Sequence, residues 1–424
     1  MSDDRVTAVP DLKDATWLRE PLLGQVLSAL SVSGGCVRIA GGAVRDALMG
    51  RPVREIDLAI DVPPDEVSRL AEAAGLKVVP TGIAHGTVTI IAGEGDASRS
   101  FEVTTLRVDI ETFGRHARVA FGDDWVADTR RRDFTINALY CDADGTVFDP
   151  LGGYGDIIAR RVRFVGDPGA RIAEDYLRIL RFFRFHAELG DGAPDRQGLS
   201  ACIDNRDGLL QLSAERVRGE LLRLLVASGA ASTLAIMVDA GILDDVLGVT
   251  LKAARLELYF AIARGSGGGR DPLLALMSVL SDPASDTAEI ARKLRLANRD
   301  QARLRCAASL VSGWASVPSG KTLHAAIYRR GTRCACDALL LSWVRSGDAP
   351  DDGRWRHALA FARTWRVPVF PVSGRDVRAL GLAQGPAIGD ILQELESRWI
   401  DEDFRPTEAE LKRWLREAVD ASAR

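Results

Sequence analysis

Past about Asp167 the apolar residues of this chain recur every three to four positions, whereas before it they mostly alternate. That change of period constrains the fold more than any other feature. Stretches such as "RIAEDYLRILRFFRFHAELG", "SAERVRGELLRLLVASG" and "PTEAELKRWLREAV" predict an all-helical remainder punctuated by glycine and proline. No repeat of fixed period runs through it, which argues against a regular solenoid. The first third predicts strands at "CVRIA" (36–40), "EIDLAI" (55–60), "GTVTII" (86–91) and "FEVTTLRV" (101–108), with helices at "AVRDALMG" (43–50) and "PPDEVSRLAEAAG" (63–75). The expected fold class is an α+β N-terminal unit, a small mixed and largely antiparallel sheet with helices, followed by all-α domains.

A chain of 424 residues exceeds what one core supports, so several domains are expected. With 46% hydrophobic and 27% charged residues it has the composition of an ordered globular protein. Its longest apolar runs, such as "ALLLSWV", fall well short of the roughly 20 residues a membrane span needs. The acidic N-terminus "MSDDRVTAVPDLKD" lacks the order of a secretory signal, so a cytoplasmic protein without a membrane partner is expected. Six scattered cysteines without a CxxC pair predict reduced thiols, not a zinc ribbon or a disulfide framework.

The net charge of −4 does not announce a polyanion ligand, yet eleven Lys or Arg lie between Ala291 and Arg345 against only Asp300 and Asp337. Arg292, Lys293, Arg295, Arg299 and Arg303 form its first part. Arg305, Arg329, Arg330 and Arg333 are prominent in the rest. Solvated helix faces explain such a run, and so does a surface for a phosphate backbone.

The candidate chemistry begins in "GGAVRDALMGRPVREIDLAI" (41–60). Gly41 and Gly42 follow a strand and open a helix, where backbone N–H groups can approach phosphate oxygens; a tight turn is the plainer reason for such a pair. Arg45 can face the same phosphates or pair with Asp46. Glu55 and Asp57, two apart on a strand, leave one face together, and carboxylates that close suit Mg²⁺ with substrate phosphates unless they merely line a solvated face. Glu102 is the acid of the neighbouring strand-like run that can join them. In "DTRRRDFTINALY" (128–140), Arg132 is a candidate phosphate contact, and Asp133 and Asn137, four apart on a predicted helix, offer an acceptor and an amide. In "RIAEDYLRILRFFRF" (171–185), Glu174, Asp175, Arg178 and Arg181 occupy adjacent turns of one predicted helix; Asp175 and Arg178 can imitate a base-pairing edge, or the charges form an i, i+3 salt bridge on a surface helix.

Together with "DPLGGYGDI" and "SAERVRGELLRLL", these stretches in this order resemble the class II tRNA nucleotidyltransferases, the CCA-adding enzymes and bacterial poly(A) polymerases of the polymerase β superfamily. The resemblance covers residues 41 to about 225 closely and the helical remainder loosely. It implies a leader (1–26), a nucleotidyltransferase head (27–165), a helical neck that recognises the base (166–235), a body that is basic toward its C-terminal part (236–345) and a tail (346–424). It further implies that CTP and ATP are added to the tRNA 3′ end without a template, by two Mg²⁺ ions on Glu55 and Asp57.

Gly41, Gly42, Arg45 and Arg132 are then nucleotide contacts, Asp133 and Asn137 lie near the ribose, Asp175 and Arg178 face the base, and Arg181 holds phosphate. The segment 106–125 stands where the family has a flexible loop that helps switch the site from C to A. The family pattern has Asp where this chain has Glu55, and Thr where it has Ile60; the extra methylene of Glu55 predicts lowered activity or a changed metal preference. None of the five histidines precedes an aspartate, so an appended His-Asp phosphohydrolase domain is not expected. Poly(A) polymerase, A-only addition and a non-catalytic RNA-binding relative are the alternatives.

Overall fold

The alternating runs of the first third become neighbouring strands, because each has an apolar face to cover. The computed structural model describes residues 8–32, 35–83, 86–113, 116–382 and 384–422. Its strands are β1 Val37–Ala40, β2 Asp57–Ile60, β3 Lys77–Gly82, β4 Thr87–Ala92, β5 Arg99–Thr105, β6 Arg107–Phe113, β7 His116–Phe121, β8 Tyr140–Cys141 and β9 Val147–Phe148. Seven form one sheet in the order β3-β4-β5-β2-β1-β8-β9, and β6 with β7 forms a separate hairpin. The β2–β5 pair is parallel and the other sheet neighbours are antiparallel. The mixed, largely antiparallel sheet expected from the sequence is therefore present.

Two strand boundaries differ from the sequence reading. β2 begins at Asp57, so Glu55 precedes the strand instead of lying within it. The run read as one strand over 101–108 is divided at Leu106, whose N–H donates to the Ile60 carbonyl at 2.7 Å while its own carbonyl accepts from Gly122 at 3.0 Å. Leu106 is fully buried there, and the chain leaves the large sheet through it into the hairpin. Residues 114 and 115 of the segment read as a flexible loop lie outside the described residues.

Helices cover the sheet and then take over. They are α1 Pro21–Leu30, α2 Gly42–Leu48, α3 Pro64–Ala73, α4 Trp125–Arg130, α5 Gly153–Ile158, α6 Pro168–Glu174, α7 Leu177–Leu189, α8 Arg196–Asp204, α9 Ala214–Leu224 and α10 Ala230–Asp239. α3 starts at a proline with Asp65 and Glu66 in its first turn, where the helix dipole favours them, and buries Val67, Leu70 and Ala71. α1 runs across the expected leader boundary and buries Leu23, Val26, Leu27 and Leu30, so the leader's second half belongs to the folded unit. The single helix expected over 171–185 is two: Asp175 is extended (φ −156°, ψ 105°) between α6 and α7. Phe134, in an isolated bridge with Phe164, packs against Phe164 and Phe182 at a tilt and against Phe185 edge-on, at centroid distances of 4.9, 6.3 and 5.4 Å. These rings join the sheet side to α7.

The chain divides into two compact units, one ending at Val246 and the other beginning at Leu247. The neck–body boundary expected after residue 235 instead falls inside the continuous helix α10. In the second unit, helices Asn298–Val311 and Thr332–Ser346 are tied by a disulfide between Cys306 and Cys334, against the expectation of reduced thiols. Two cysteines far apart in sequence carry no local signal of their pairing. Helices Pro386–Asp401 and Glu408–Ser422 bury Ile391, Leu395, Trp399, Leu411 and Leu415 in a core of their own. Among the described residues no helix is long and apolar enough to cross a membrane.

Candidate active site

β1 delivers the chain to Gly41, whose φ of +58° lies in the left-handed region that suits glycine. A Cβ there would sit 3.1 Å from both Arg132 Nη1 and the Asn137 carbonyl oxygen, so glycine also lets that arginine lie against the turn. α2 opens at Gly42, where an added Cβ would meet only Arg45 Nη2, at 3.8 Å. Arg45 is buried; its Nε donates to Asp46 Oδ1 at 2.9 Å and its Nη1 to Asn137 Oδ1 at 2.5 Å. Of the two readings left open for Arg45, the structure shows the partner of Asp46, with Asn137 added.

The acids meet across β2 and β5. The parallel register sets Asp57 opposite Glu102, while β1 brings Ala40 to its other side. Ile56, Leu58 and Ile60 are buried, and Glu55, Asp57 and Glu102 are exposed. Although it reaches solvent, the Asp57 carboxyl is pushed up to about 6, first by the part of its surroundings that is protein and then by the Glu102 and Glu55 charges; the Arg132 charge opposes the rise. Among the described residues no group of three or more His, Cys, Asp or Glu side chains is gathered as a ready-made metal cage. Mg²⁺ does not need one: it takes one or two carboxylates and draws its other oxygens from water and substrate phosphates. The mutually repelling acids fit that ion.

In the metal-free protein this burial, with the neighbouring acids, opposes folding while Asp57 is charged. A carboxyl whose folded pKa lies above its unfolded value favours the fold below about pH 4, and that contribution is lost as pH rises through about 6. With EDTA present, the melting temperature of the wild type is expected to fall more between pH 4.5 and 7 than that of Asp57→Asn, which should melt higher at pH 7. Parallel pH profiles would show that Asp57 is not crowded.

"DTRRRDFTINALY" does not form the expected helix at 133–137. After α4 it makes a short 3-10 turn, Thr135–Asn137. That turn still brings the expected pair together: Asn137 Nδ2 donates to Asp133 Oδ1 at 3.1 Å, which also accepts the Phe134 N–H at 2.8 Å. Arg181 Nε donates to Asp133 Oδ2 at 2.8 Å. Burial alone would raise the Asp133 carboxyl, but Arg181 and these hydrogen bonds outweigh it and hold it at about 2. Arg132 donates to the Asn137 carbonyl, to Tyr140 Oη and to Asp128 Oδ2 at 3.2, 3.3 and 3.3 Å. Asp128, one helical turn before Arg132, is fully buried. Its only local signal was the four-residue spacing.

At the α6–α7 break, Asp175 accepts two bonds from Arg216 of α9, at 3.1 and 2.6 Å. Arg178 Nη1 donates to Glu174 and, at 2.7 Å, to the Arg171 carbonyl; Arg171 in turn donates to the Arg132 carbonyl at 2.7 Å. The i, i+3 salt bridge expected on this helix, which would join Asp175 to Arg178, is not what forms: Arg178 pairs with Glu174, four residues back, and the partner of Asp175 comes from another helix. Arg216 lies in "SAERVRGELLRLL", where no local signal marks it, because its partner is 41 positions away.

The basic region of the second unit divides in two. Arg292, Arg295, Arg299, Arg305, Arg329, Arg330 and Arg333 are exposed, and Lys293 is half-buried. Arg303 is different and does not belong on a polyanion surface. It donates to Asp337 Oδ2 at 2.8 Å and to Asp271 Oδ2 at 2.7 Å, and these partners raise its pKa despite its burial. It is a strut between helices.

Residues 37–163 match the family model described as the Poly A polymerase head domain, and residues 194–250 the model described as a probable RNA and SrmB-binding site of polymerase A. The human protein named CCA tRNA nucleotidyltransferase 1, mitochondrial, is 33% identical over 392 residues, spanning 90% of this chain and 86% of its own. The chain belongs to the CCA tRNA nucleotidyltransferase family. As a member it is a nucleotidyltransferase. The CCA-adding enzyme of Lactobacillus johnsonii is 28% identical over 92% of this chain and 95% of its own. Among solved structures, the Bacillus stearothermophilus CCA-adding enzyme in complex with CTP has a TM-score of 0.75 at 26% identity, covering 95% of this chain and 99% of that one. The Thermotoga maritima CCA-adding enzyme complexed with tRNA, at a TM-score of 0.66 and 19% identity, shares the fold. Relatives from bacteria and relatives named as mitochondrial occur together, so membership does not fix the cytoplasmic compartment expected from the N-terminus.

Proposed function

We propose that the protein adds C, C and A to the 3′ end of tRNA from CTP and ATP, without a nucleic-acid template. The observation that carries this reading is the facing pair Asp57 and Glu102, with Arg132 near enough to oppose the rise in the Asp57 pKa. Such a site combines an acidic edge with a fixed cation beside a glycine turn, which is what a nucleoside triphosphate requires. The solved relative bound to CTP and the relatives named for CCA addition support the choice of substrates.

Asp57 and Glu55, with Glu102 alongside, would hold Mg²⁺. Its chemistry when bound is neutralisation of charge on the triphosphate and activation of the attacking 3′ hydroxyl. The chain's own residues do the rest. Arg132, fixed by Asp128 and the Asn137 carbonyl, is placed to hold phosphate. Asp133 and Asn137, bonded to each other and to Arg181 and Arg45, are the proposed neighbours of the ribose. Arg216 fixes Asp175 from one side and Glu174 fixes Arg178 from the other, so a carboxylate and a guanidinium are held as the edge a base can pair with. Arg181, locked to Asp133, carries phosphate near the same place. The exposed arginines at 292–333 are the proposed tRNA surface of the second unit.

The test uses transcripts of one tRNA ending before CCA, after C or after CC, with labelled CTP or ATP and Mg²⁺. Incorporation of CTP followed by a single A supports the reading. Long A tails would make it a poly(A) polymerase, A alone on the CC end an A-adding enzyme, and tRNA binding without incorporation a non-catalytic relative. In the same assay Glu55→Asp is expected to raise turnover several-fold, because shortening the side chain restores the carboxylate placement that near-octahedral Mg²⁺ prefers. Unchanged or lowered turnover would show that the site is built around glutamate.

A further inference from the structure

Residues that flank the β6–β7 hairpin on both sides, Leu106 before it and Trp125 four residues beyond its end, meet one side chain. Leu106, where β5 gives way to β6, is fully buried in a cluster with Tyr140. Trp125, which opens α4 just after β7, meets the Tyr140 ring edge-on at 4.9 Å. The Tyr140 hydroxyl donates to Asp128 Oδ2, the same oxygen that accepts from Arg132 Nη2 at 3.3 Å. Arg132 also lies over the Tyr140 ring, 4.8 Å from its centre. The other Asp128 oxygen is taken by Arg131 at 2.6 Å, with the Arg107 N–H of the hairpin 3.4 Å away.

A guanidinium on a flexible stem points where its partners put it, and a fully buried carboxylate with no side-chain exposure is a rigid partner. We propose that Asp128 and Tyr140 are positioning residues that hold the Arg132 guanidinium toward the nucleotide and tie it to the roots of the 107–121 hairpin. Neither touches the nucleotide; each acts through Arg132. A shift of the hairpin roots against the Tyr140 ring is then transmitted to Arg132, because ring, hydroxyl, carboxylate and guanidinium move as one hydrogen-bonded block. The inference rests on the reading of Arg132 as a nucleotide contact.

A double-mutant cycle on the full chain tests it, with CTP binding measured directly and the KM for CTP measured on tRNA ending before CCA. Tyr140→Phe, which keeps the ring and removes only the hydroxyl, is expected to weaken CTP binding about tenfold, as is Asp128→Asn. Trp125→Leu is expected to weaken it several-fold. In an Arg132→Ala background all three should have little further effect, since residues acting through one partner are not additive. Loss of binding that persists unchanged in that background would overturn the proposal, because a merely structural role acts equally in both. An effect of Tyr140→Phe without one of Trp125→Leu would overturn the hairpin coupling. If Arg132→Ala alone leaves CTP binding intact, the assignment of Arg132 fails, and if the wild type binds no CTP, the functional reading itself fails. Should Asp128→Asn not fold, the Tyr140→Phe cycle decides alone.

Discussion

Asp57→Ala is expected to lower nucleotide incorporation about a thousandfold or more while leaving tRNA binding within about twofold. Asp57 stands at the start of β2 with Glu102 opposite it across the parallel register and Glu55 two residues before it, so it is the acid that both others face. Removing it leaves two carboxylates with no third between them, and a metal held mainly by substrate phosphates is no longer held in place. The surface proposed for tRNA lies on other helices and keeps its charge. Unfolding does not offer an alternative explanation, because Asp57 is crowded by its neighbours and its loss relieves repulsion. Incorporation is measured on tRNA lacking CCA, and binding by retention of the same tRNA on filters. Activity within tenfold of wild type would remove Asp57 from the mechanism; lost tRNA binding would mean that the acid edge contributes to RNA contact.

What the sequence disclosed and what it withheld follow from the range of the interactions. The Gly41–Gly42 turn, Asp57 and the neighbouring Glu102 were legible, because a strand, a glycine turn and an alternating acid are local signals. The pair Asp133 and Asn137 was expected on a helix and is instead held by a 3-10 turn; a four-residue spacing brings side chains together in either geometry. The break at Asp175 was invisible, since apolar spacing continues straight through "EDYLRILRFF" and nothing in that period marks an extended residue. Ion-pair partners were the least legible part. Asp175 meets Arg216, Asp133 meets Arg181 and Arg303 meets Asp337, each across more than thirty residues, and periodicity says which face a charge occupies but not which opposite charge it will find. For the same reason the sequence predicts an RNA surface that includes Arg303, whereas its two aspartates make it a strut. Separation in sequence also hid the Cys306–Cys334 bond.

Those long-range pairs lead to the largest expected loss of stability. Asp133 is the acceptor that Arg181, Asn137 and the Phe134 N–H share, and Glu220, at 3.6 Å, is a second carboxylate near Arg181. Asp133→Ala is therefore expected to cost about 3 to 5 kcal/mol, the range for breaking a buried pair from one side, because Arg181 then keeps a charge without its main partner. A urea titration should show the midpoint fall with little change in slope. Asp133→Asn separates charge from packing: it keeps the volume and an acceptor oxygen, and a loss close to that of alanine would assign the effect to charge. The wild-type pH dependence has a definite sign. A carboxyl held at about 2 stabilises the fold above its unfolded value near 4, and the contribution is lost as pH falls through about 2, so the wild type should lose stability between pH 4 and 2 more steeply than Asp133→Asn. Since Arg181 is on α7 and Asp133 on the loop that carries Arg132, the same substitution should loosen the α7 side of the nucleotide site. CTP affinity should fall with the midpoint. An unchanged urea midpoint would show that Arg181 re-pairs with Glu220 at no cost, and that Asp133 acts on the nucleotide alone.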